Sequence, residues 1–176
     1  NRVSNYSKNK NFKKKANEFF LHTVKNQYSY NFDWLGFPII QYPQDLLSLQ
    51  EMIFASKPNK IIETGIARGG SLIFLSSMML LLSKMDNKKK DYSVLSIDID
   101  IRNHTAKKIK KHFLKSYFKT FQSSSISNES LKFIKKNIKK NDKVMVILDS
   151  NHEESHVLEE LKLYAPFVTK NCYCIV

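Results

Sequence analysis

Apolar runs of strand length alternate with segments of helical periodicity over residues 43–176. The strand-like runs are KIIETG (60–65), YSVLSIDID (92–100), FKTFQ (118–122), KVMVILDS (143–150) and CYCIV (172–176). The segments between them predict helices: GGSLIFLSSMMLLLSKM (69–85), which is largely buried, NHTAKKIKKHFLKS (103–116), SNESLKFIKKNI (127–138) and EESHVLEELKLYAPF (153–167). The predicted N-cap of the third of these helices is Ser127 or Asn128. Strands that alternate with helices form a parallel sheet covered on both faces. The pattern therefore predicts an α/β, doubly wound domain with a mainly parallel sheet.

The first 42 residues are predicted to form a separate N-terminal part. A polar lead-in is followed by a helix whose apolar positions are Phe12, Ala16, Phe19, Phe20 and Val24. An aromatic connector, YSYNFDWLGFPIIQY (28–42), joins this helix to the rest of the chain. The next helix begins at Pro43, where a missing N–H group costs nothing, and it ends before Pro58. We therefore divide the chain into residues 1–42 and 43–176.

Length and hydropathy indicate one domain with its own core. The chain has 176 residues, of which 42% are hydrophobic, and this is too short for two ordinary domains. The longest apolar run, near residues 72–82, is interrupted by Ser76 and Ser77 and is too short to span a bilayer. The first residues are polar and lysine-rich, so the sequence predicts no signal peptide, although the chain begins at Asn1 rather than at methionine.

The two cysteines, Cys172 and Cys174, are predicted to be structural. They lie two positions apart on the last strand-like run, where side chains rarely reach disulfide geometry. The sequence offers no further ligands with metal-site spacing beside them. We expect two buried thiols in a reducing, cytoplasmic location.

The net charge of +13, from 29 basic and 16 acidic residues, raises the question of a polyanionic partner. The lysines are spread over KNKNFKKK, NKKKD, AKKIKKHFLK and FIKKNIKKND. Most of these stretches are predicted to be solvent-exposed helix faces. A solvated basic surface is therefore the favoured interpretation, and a nucleic-acid or other anionic surface is the alternative.

Three of the four glycines stand within six residues, in IIETGIARGGS (61–71). This stretch ends the first predicted strand and opens the next helix, where open α/β sheets bind ligands. The spacing of Gly65, Gly69 and Gly70 fits neither the dinucleotide motif nor the P-loop. Glu63 would repel a phosphate but could accept a hydrogen bond from an ammonium group. The stretch favours a zwitterionic ligand such as the methionine part of S-adenosylmethionine, with a tight turn without a ligand as the alternative.

Two further carboxylates end strand-like runs. Asp98 ends VLSID, where an acidic residue can bind both ribose hydroxyls, although Asp100 competes for this role. Asp149 ends KVMVILD. Acidic residues at three strand ends are less easily explained by chance than any one of them. We therefore predict that Glu63, Asp98 and Asp149 serve one site.

The spacing Glu63-x-Gly65-x-x-x-Gly69, Asp98 and above all VILDSNHEESHVLEELKLYAPFV (146–168) resemble the cephalosporin hydroxylase-like family of class I S-adenosylmethionine-dependent methyltransferases. WLGFPIIQYPQDLLSLQEMIF (34–54) is similar to that family's lead-in to its first strand. The resemblance covers about residues 32–176. It implies a Rossmann-like class I methyltransferase fold and metal-dependent methyl transfer to a hydroxyl of a sugar or another small molecule.

The resemblance also implies roles for individual residues. The methionine end of the cofactor would be lined by Glu63, Gly65, Ala67, Arg68, Gly69 and Ser71. Asp98 would hold the ribose. Ser124 and Ser125 match the stretch that borders the adenine, where glycine and aspartate are commoner.

Asp149 would be a ligand of Mg²⁺, which would bind substrate oxygens and lower the pKa of the acceptor hydroxyl. In the family the other carboxylate ligands follow the next strand, and this sequence ends at Val176 before them. We therefore expect a chain truncated after the fifth strand of the fold, with an incomplete metal site.

His152 and His156 are predicted to lie four positions apart on one face of the helix that follows Asp149. His152 is the candidate general base, because it is nearer the strand end and histidine titrates near neutrality. An ordinary histidine of the first helical turn is the alternative. Zinc binding is disfavoured because a third neutral ligand is missing from the sequence pattern.

The favoured function is methyl transfer from S-adenosylmethionine to a small-molecule or carbohydrate acceptor. A nucleic-acid methyltransferase is the rival enzyme, motivated by the +13 charge. A degenerate, non-catalytic cofactor-binding module is the rival without catalysis. The sequence is compatible with a homo-oligomer.

Overall fold

A parallel sheet of five strands lies at the centre of the computed structural model, which describes residues 5–86 and 90–176. A hairpin of β1 (Phe32–Trp34) and β2 (Phe37–Ile39) precedes it. The sheet strands are β3 (Lys60–Thr64), β4 (Ser93–Asp98), β5 (Phe118–Gln122), β6 (Val144–Leu148) and β7 (Cys174–Ile175). Their order is β5-β4-β3-β6-β7, and every neighbouring pair is parallel. The predicted doubly wound α/β fold is confirmed.

The longer helices of the described residues are α1 (Lys10–Lys25), α2 (Pro43–Ser56), α3 (Gly70–Met85), α4 (Asn103–Lys110), α5 (Asn128–Asn137) and α6 (Glu154–Tyr164). One face of the sheet packs on α2, α3 and α4 through Ile53, Ile73 and Ile109. The other face packs on α5 and α6 through Ile134 and Tyr164. Because both faces are covered, the central strands are buried. β6 is apolar along its whole length, whereas β3 and β4 also bury polar side chains such as Glu63 and Ser96.

The aromatic connector is more ordered than predicted. It forms the β1–β2 hairpin, and Phe37 and Ile39 of β2 are buried in the core. The side chain of Trp34 meets Phe74 of α3 edge to face, with 4.9 Å between the ring centroids. The hairpin therefore closes over α3, and the division of the chain at residue 42 stays a prediction.

Two helices end earlier than predicted, for different reasons. The helix expected over residues 103–116 ends at Lys110, and the chain then turns so that Leu114 is buried. The helix expected over residues 153–167 ends at Tyr164 and continues as the 3₁₀ segment Ala165–Phe167. There Pro166 lacks the N–H group that an α-helical hydrogen bond requires.

The cysteines are free, but they are only half-buried rather than buried as expected. Cys172 precedes β7, so only Cys174 lies on the strand. Burial raises the pKa of the Cys174 thiol. Within the described ranges, no helix has the length and hydropathy that crossing a membrane requires.

Candidate functional site

The carboxyl ends of β3 and β6 meet at the point where the strand order reverses. The backbone N–H of Asp149 donates to the Thr64 carbonyl at 3.0 Å, which joins the two strand ends. Gly65 follows with φ +93°, and a Cβ at this position would lie 2.0 Å from the Asp149 carbonyl oxygen. Gly65 is therefore required by the close contact between two strand ends, in the crevice where such sheets bind ligands.

The start of α3 is shaped by a second close contact. A Cβ at Gly70 would lie 2.3 Å from the Pro38 carbonyl oxygen and 2.5 Å from Cα of Ile39. Gly69 is the N-cap residue of α3 and packs against the side chain of Phe37. The absence of a side chain at these two glycines thus allows the β1–β2 residues to pack closely against the start of α3. The sequence alone did not predict this role.

Glu63 lies in β3 with its side chain turned inward and is 1% exposed. The Ser96 hydroxyl donates to Glu63 Oε2 at 2.6 Å. Burial raises the pKa of Glu63 to about 7; Ser71 and Ser96 oppose the rise, and the charges of Asp149 and Asp98 add to it. Oε1 is buried and has no hydrogen-bond partner of good geometry among the described residues. A cationic group would satisfy this oxygen.

Asp98, at the end of β4, fixes the loop that follows β3. Its Oδ2 accepts from the backbone N–H groups of Ile66 at 2.6 Å and Ala67 at 2.9 Å. Its Oδ1 accepts from the N–H of Asp100 at 2.9 Å. Each oxygen keeps lone-pair capacity, because a carboxylate has about four acceptor positions. Asp98 therefore holds the loop and can still accept from a ligand.

The strand-end cavity brings most of the predicted cofactor residues together. Its volume is about 200 Å³. The predicted residues that line it are Gly65, Ala67, Asp98, Ser124, Ser125 and Asp149. A smaller adjoining cavity of about 40 Å³ is lined by Arg68 and Ser71 together with Gly65. Of the predicted set, Gly69 serves the packing of α3 against the hairpin, and Glu63 faces a third cavity.

This third cavity, the α2–α3 cavity, lies between α2, α3 and the ends of β6 and β7. Its volume is about 420 Å³. Its apolar wall consists of Leu46, Leu49, Met52, Phe74, Leu75, Ile147 and Ile175. Glu63, Ser71 and Asp149 line it as well, together with His152 and Gln41. It can therefore accept a molecule that has an apolar part and hydroxyl groups.

Asp149 faces two polar side chains at the boundary of the cavities. Its Oδ2 accepts from Nε2 of Gln41 at 2.9 Å, and its Oδ1 lies 3.6 Å from Nε2 of His152. The His152 side chain is 84% exposed. Over residues 5–86 and 90–176, no group of three or more His, Cys, Asp or Glu side chains could hold a metal ion. The described residues therefore do not by themselves fit a Mg²⁺ site.

The two histidines do not share a helix face, so that prediction is wrong. His152 precedes α6, which begins at Glu154, whereas His156 lies in its first turn. His156 Nε2 lies 3.0 Å from the Ser125 hydroxyl and 3.4 Å from Oε1 of Glu160. His156 therefore belongs to the floor of the strand-end cavity, and His152 to the Asp149 side.

The residues that sequence reasoning missed are polar side chains in apolar positions. Ser96 interrupts an apolar strand, and Glu160 is fully buried on the inner face of α6. The hydroxyl of Ser150 donates to Oε1 of Glu160 at 2.6 Å. Tyr164, whose pKa burial raises, donates from its hydroxyl to the Ser125 carbonyl. Ser96 and Glu160 could have been found in the sequence, because each is a polar residue at a position where the pattern of its strand or helix is apolar.

These groups together fit a ligand that carries a ribose and an ammonium group. Asp98 can accept from a diol, and Ser125 and His156 offer polar atoms deeper in the same cavity. Glu63 offers a buried carboxyl oxygen on the other side of Gly65. The donor set and its order along the crevice fit the sulfonium cofactor that the sequence resemblance implies.

The chain is similar to curated sugar methyltransferases over most of its length. It is 26% identical over 143 residues to a rhamnosyl O-methyltransferase of Mycobacterium leprae, covering 81% of this chain and 58% of the relative. A rhamnosyl O-methyltransferase of Mycobacterium bovis is 24% identical over 145 residues, covering 81% of this chain and 55% of the relative. The chain thus spans little more than half the length of these relatives.

Solved structures show the same fold at low sequence identity. A Mg-SAM form of CmcI superposes with a TM-score of 0.51 at 16% identity, covering 75% of this chain and 51% of that one. An O-methyltransferase from Bacillus cereus in complex with SAH gives 0.50 at 14% identity, covering 82% and 58%. At these identities the likeness concerns the fold alone. A family model described as rhamnosyl O-methyltransferase/CmcI matches residues 26–176, and the chain belongs to that family.

Proposed function

We propose that this chain binds S-adenosylmethionine as part of an O-methyltransferase that acts on a hydroxyl of a sugar or another small molecule. The observation that carries the proposal is the position of three carboxylates around the junction of β3 and β6. Asp98 and Asp149 line the strand-end cavity, and Glu63 and Asp149 line the α2–α3 cavity beside it. The three carboxylates stand at or near the carboxyl ends of β3, β4 and β6, in a chain of this family. The names of the relatives, which refer to rhamnosyl groups and to SAM and SAH, support the acceptor and the cofactor.

The cofactor is assigned along the crevice from the methionine part to the adenine. Glu63 and Ser71 accept and donate at the ammonium and carboxylate groups, with Gly65, Ala67 and Arg68 beside them. Asp98 accepts from the ribose hydroxyls, and Ser124 and Ser125 border the adenine. When bound, the cofactor supplies an electrophilic methyl group on a sulfonium. The chain's own contribution is to orient that group towards Asp149.

The acceptor is assigned to the side of the α2–α3 cavity that reaches Asp149 and His152, next to the end at Glu63 and Ser71 that is assigned to the cofactor. The apolar wall excludes water from one side of the acceptor, and Gln41 and Asp149 can bind its hydroxyl groups. His152 lies 3.6 Å from Asp149 Oδ1 and is 84% exposed, so it can take the hydroxyl proton and pass it to solvent. Holding the nucleophile close to the methyl group is itself a large part of the rate enhancement.

Magnesium at Asp149 stays a prediction. Asp149 is one carboxylate, whereas a hard divalent cation takes several oxygen ligands. The described residues provide no set of three candidate ligands around it. We therefore assign no step of the transfer to a metal. The cytoplasmic location and the oligomeric state also stay predictions.

The basic turn of α5 does not support the nucleic-acid alternative. Lys135 and Lys136 lie in the last turn of this helix, and its Asn137 accepts from Lys119 near the start of β5, at the edge of the sheet opposite the crevice. A nucleic acid held there would not present its bases to the cofactor. The last turn of α4 lies beside the β1–β2 hairpin, where Lys108 donates to the Gly36 carbonyl and lies over the Phe37 ring.

Calorimetric titration of S-adenosylhomocysteine into this chain tests the cofactor site. We expect a micromolar dissociation constant, about −8 kcal/mol. Asp98→Asn should weaken binding by about 1.5–3 kcal/mol, because a charged partner of the ribose is lost. The matched control Asp100→Asn changes the same charge two positions away and should leave binding unchanged.

The acceptor is tested with methyl-labelled cofactor and two pools, glycosides that include rhamnosides and RNA oligonucleotides. Label is expected in the glycosides. Label in RNA alone would replace the proposal by the nucleic-acid alternative. Absence of cofactor binding, or equal loss in both aspartate variants, would remove the cofactor assignment.

A further inference from the structure

Helix α1 presents large apolar side chains to solvent. Phe12, Phe19, Phe20 and Val24 are between 51% and 64% exposed, and Thr23 is the buried residue of this helix. At 100° per residue these four side chains fall within an arc of about 140°. Thr23 falls inside the same arc, so the last turn contacts the rest of the chain on this side while the four apolar side chains stay more than half exposed. We call them the aromatic face. Soluble domains scatter single exposed apolar residues, whereas a contiguous apolar face marks an interaction surface.

The aromatic face continues onto neighbouring tyrosines instead of being covered by them. Tyr6 stacks on Phe12 with 5.2 Å between ring centroids, and Tyr28 meets Phe19 edge to face at 6.5 Å. Tyr6 and Tyr28 are themselves 51% and 38% exposed. These contacts therefore enlarge the apolar surface.

The same segment is strongly basic. Residues 8–25 contain six lysines and one acidic residue, Glu18. On the helical projection, Lys10 lies about 40° beyond Val24 and Lys15 about 40° beyond Phe19, so that a lysine flanks each edge of the aromatic face. Lys13 projects between Phe20 and Val24. Long lysine stems can extend along an apolar surface while the ammonium groups reach outward. The surface is thus built for a partner that is both apolar and anionic.

The last turns of α1 are attached to the rest of the chain. The Thr23 hydroxyl lies 3.0 Å from the Tyr42 hydroxyl, and the rings of Phe20 and Tyr42 are 5.6 Å apart. The helix precedes residues 26–176, which match the family. The aromatic face is therefore a feature that this chain carries outside the part that defines its family.

We propose that α1 binds an anionic lipid surface, with the aromatic face among the acyl chains and the lysines at the headgroup phosphates. A basic helix with aromatic residues on its other side lies in the plane of a membrane interface in this way. The charge complementarity selects the occupant, because an apolar protein groove would not require lysines on both edges of the face. A nucleic acid would use the lysines but would leave Val24 and the phenylalanines exposed.

The proposal predicts reversible, salt-dependent binding, since one short helix offers limited apolar area and its lysine contacts are screened by salt. It requires no spanning segment and is independent of the methyltransferase assignment. Co-sedimentation with vesicles measures it directly. The probes are phosphatidylcholine vesicles with and without about 30% phosphatidylserine.

Two variants of α1 and one matched control test the proposal. Lys13→Glu with Lys14→Glu should weaken binding to the anionic vesicles at least about tenfold, because each lysine near such a surface contributes appreciably. Phe19→Ser with Phe20→Ser should weaken it to a similar extent through loss of apolar burial. The control, Lys135→Glu with Lys136→Glu on α5, changes the net charge equally and should reduce binding less than about threefold. Circular dichroism checks that each variant is folded.

Several outcomes would overturn the proposal. One is that the wild-type chain shows no preference for anionic over neutral vesicles at low salt. Another is that the two lysine-pair variants lose binding equally, which indicates unspecific attraction. If Lys13→Glu with Lys14→Glu abolished binding to RNA oligonucleotides and left vesicle binding intact, the partner of α1 would be a nucleic acid. Conversion of a dimer to a monomer by the phenylalanine pair, with vesicle binding unchanged, would assign the aromatic face to self-association.

Discussion

At the scale of the residue, Glu63 shows how the fold sets a charge state. An exposed glutamate is ionised at neutral pH, but burial raises the pKa of Glu63 to about 7. Its Oε1 is buried without a hydrogen-bond partner among the described residues. If the cofactor's ammonium group binds there, it favours the carboxylate, so binding releases a proton from the fraction of molecules in which Glu63 is neutral.

We therefore predict that affinity for S-adenosylhomocysteine rises about tenfold between pH 6 and pH 8. Glu63→Gln should bind S-adenosylhomocysteine more weakly and should lose this part of the pH dependence. Because the ligand's own amine titrates equally with both proteins, the difference between their pH profiles reports Glu63 alone. Calorimetry in buffers with different protonation enthalpies measures the proton release. An unchanged pH profile in the variant would show that Glu63 does not meet the ammonium group.

The same pKa shift makes the stability of the chain without cofactor fall with rising pH, whereas the affinity for the cofactor rises. A raised pKa in the folded state means that the folded chain binds the proton more tightly than the unfolded chain. This contribution to stability is complete below about pH 4.5 and is lost as the pH rises through about 7. Thermal unfolding of the wild-type chain and of Glu63→Gln, both without cofactor and at several pH values, tests this. The wild-type chain should lose stability relative to the variant as the pH rises through about 7.

At the scale of the elements, the junction of β3 and β6 depends on Gly65. Two penalties combine there, a φ of +93° and the 2.0 Å approach of a Cβ to the Asp149 carbonyl oxygen. Gly36 offers a matched comparison, because its φ is +80° but a Cβ there would meet no atom within 4 Å. The two glycines thus separate backbone conformation from steric contact.

Gly65→Ala should reduce the free energy of unfolding by at least about 3 kcal/mol. The alanine must adopt a strained backbone conformation, and its added Cβ must also push the ends of β3 and β6 apart. Gly36→Ala should cost about 1–2 kcal/mol, the conformational part alone. Urea unfolding monitored by circular dichroism measures both. Equal losses would mean that the Gly65 contact relaxes easily and that the junction is less rigid than its geometry indicates.

At the scale of the whole molecule, the ligands available around Asp149 limit how tightly the described residues can bind a metal ion. Asp149 is approached by Gln41 and His152, and the described part of the chain holds no set of three candidate ligands. A single carboxylate binds Mg²⁺ weakly in water, because the ion gives up its hydration shell reluctantly.

This chain should accordingly bind Mg²⁺ with a dissociation constant no tighter than about 1 mM. Asp149→Asn should weaken even that binding, whereas Asp45→Asn, a carboxylate on the α2 side of the same cavity, should not. Titration calorimetry with MgCl₂ gives the measurement. Micromolar affinity that Asp149→Asn abolishes would show that these residues already form a metal site.

The sequence by itself determined the elements whose signal is local. The central strands were predicted because burial on both faces makes them rich in apolar residues, most completely in VMVIL of β6. Ser127 was a predicted cap of α5, and its side chain accepts from the N–H of Ser130. The acidic strand ends were also readable, because parallel strands in one sheet place their carboxyl ends at one edge.

Only the tertiary structure decided which of these groups meet and in what environment. It paired Glu63 with Ser96, moved His156 to Ser125, and left His152 beside Asp149 in the loop before α6. It also showed that α1 forms as predicted but keeps its apolar positions exposed. The physical reason is that periodicity specifies which side of an element is apolar, whereas burial, pKa and steric contact arise between segments distant in sequence.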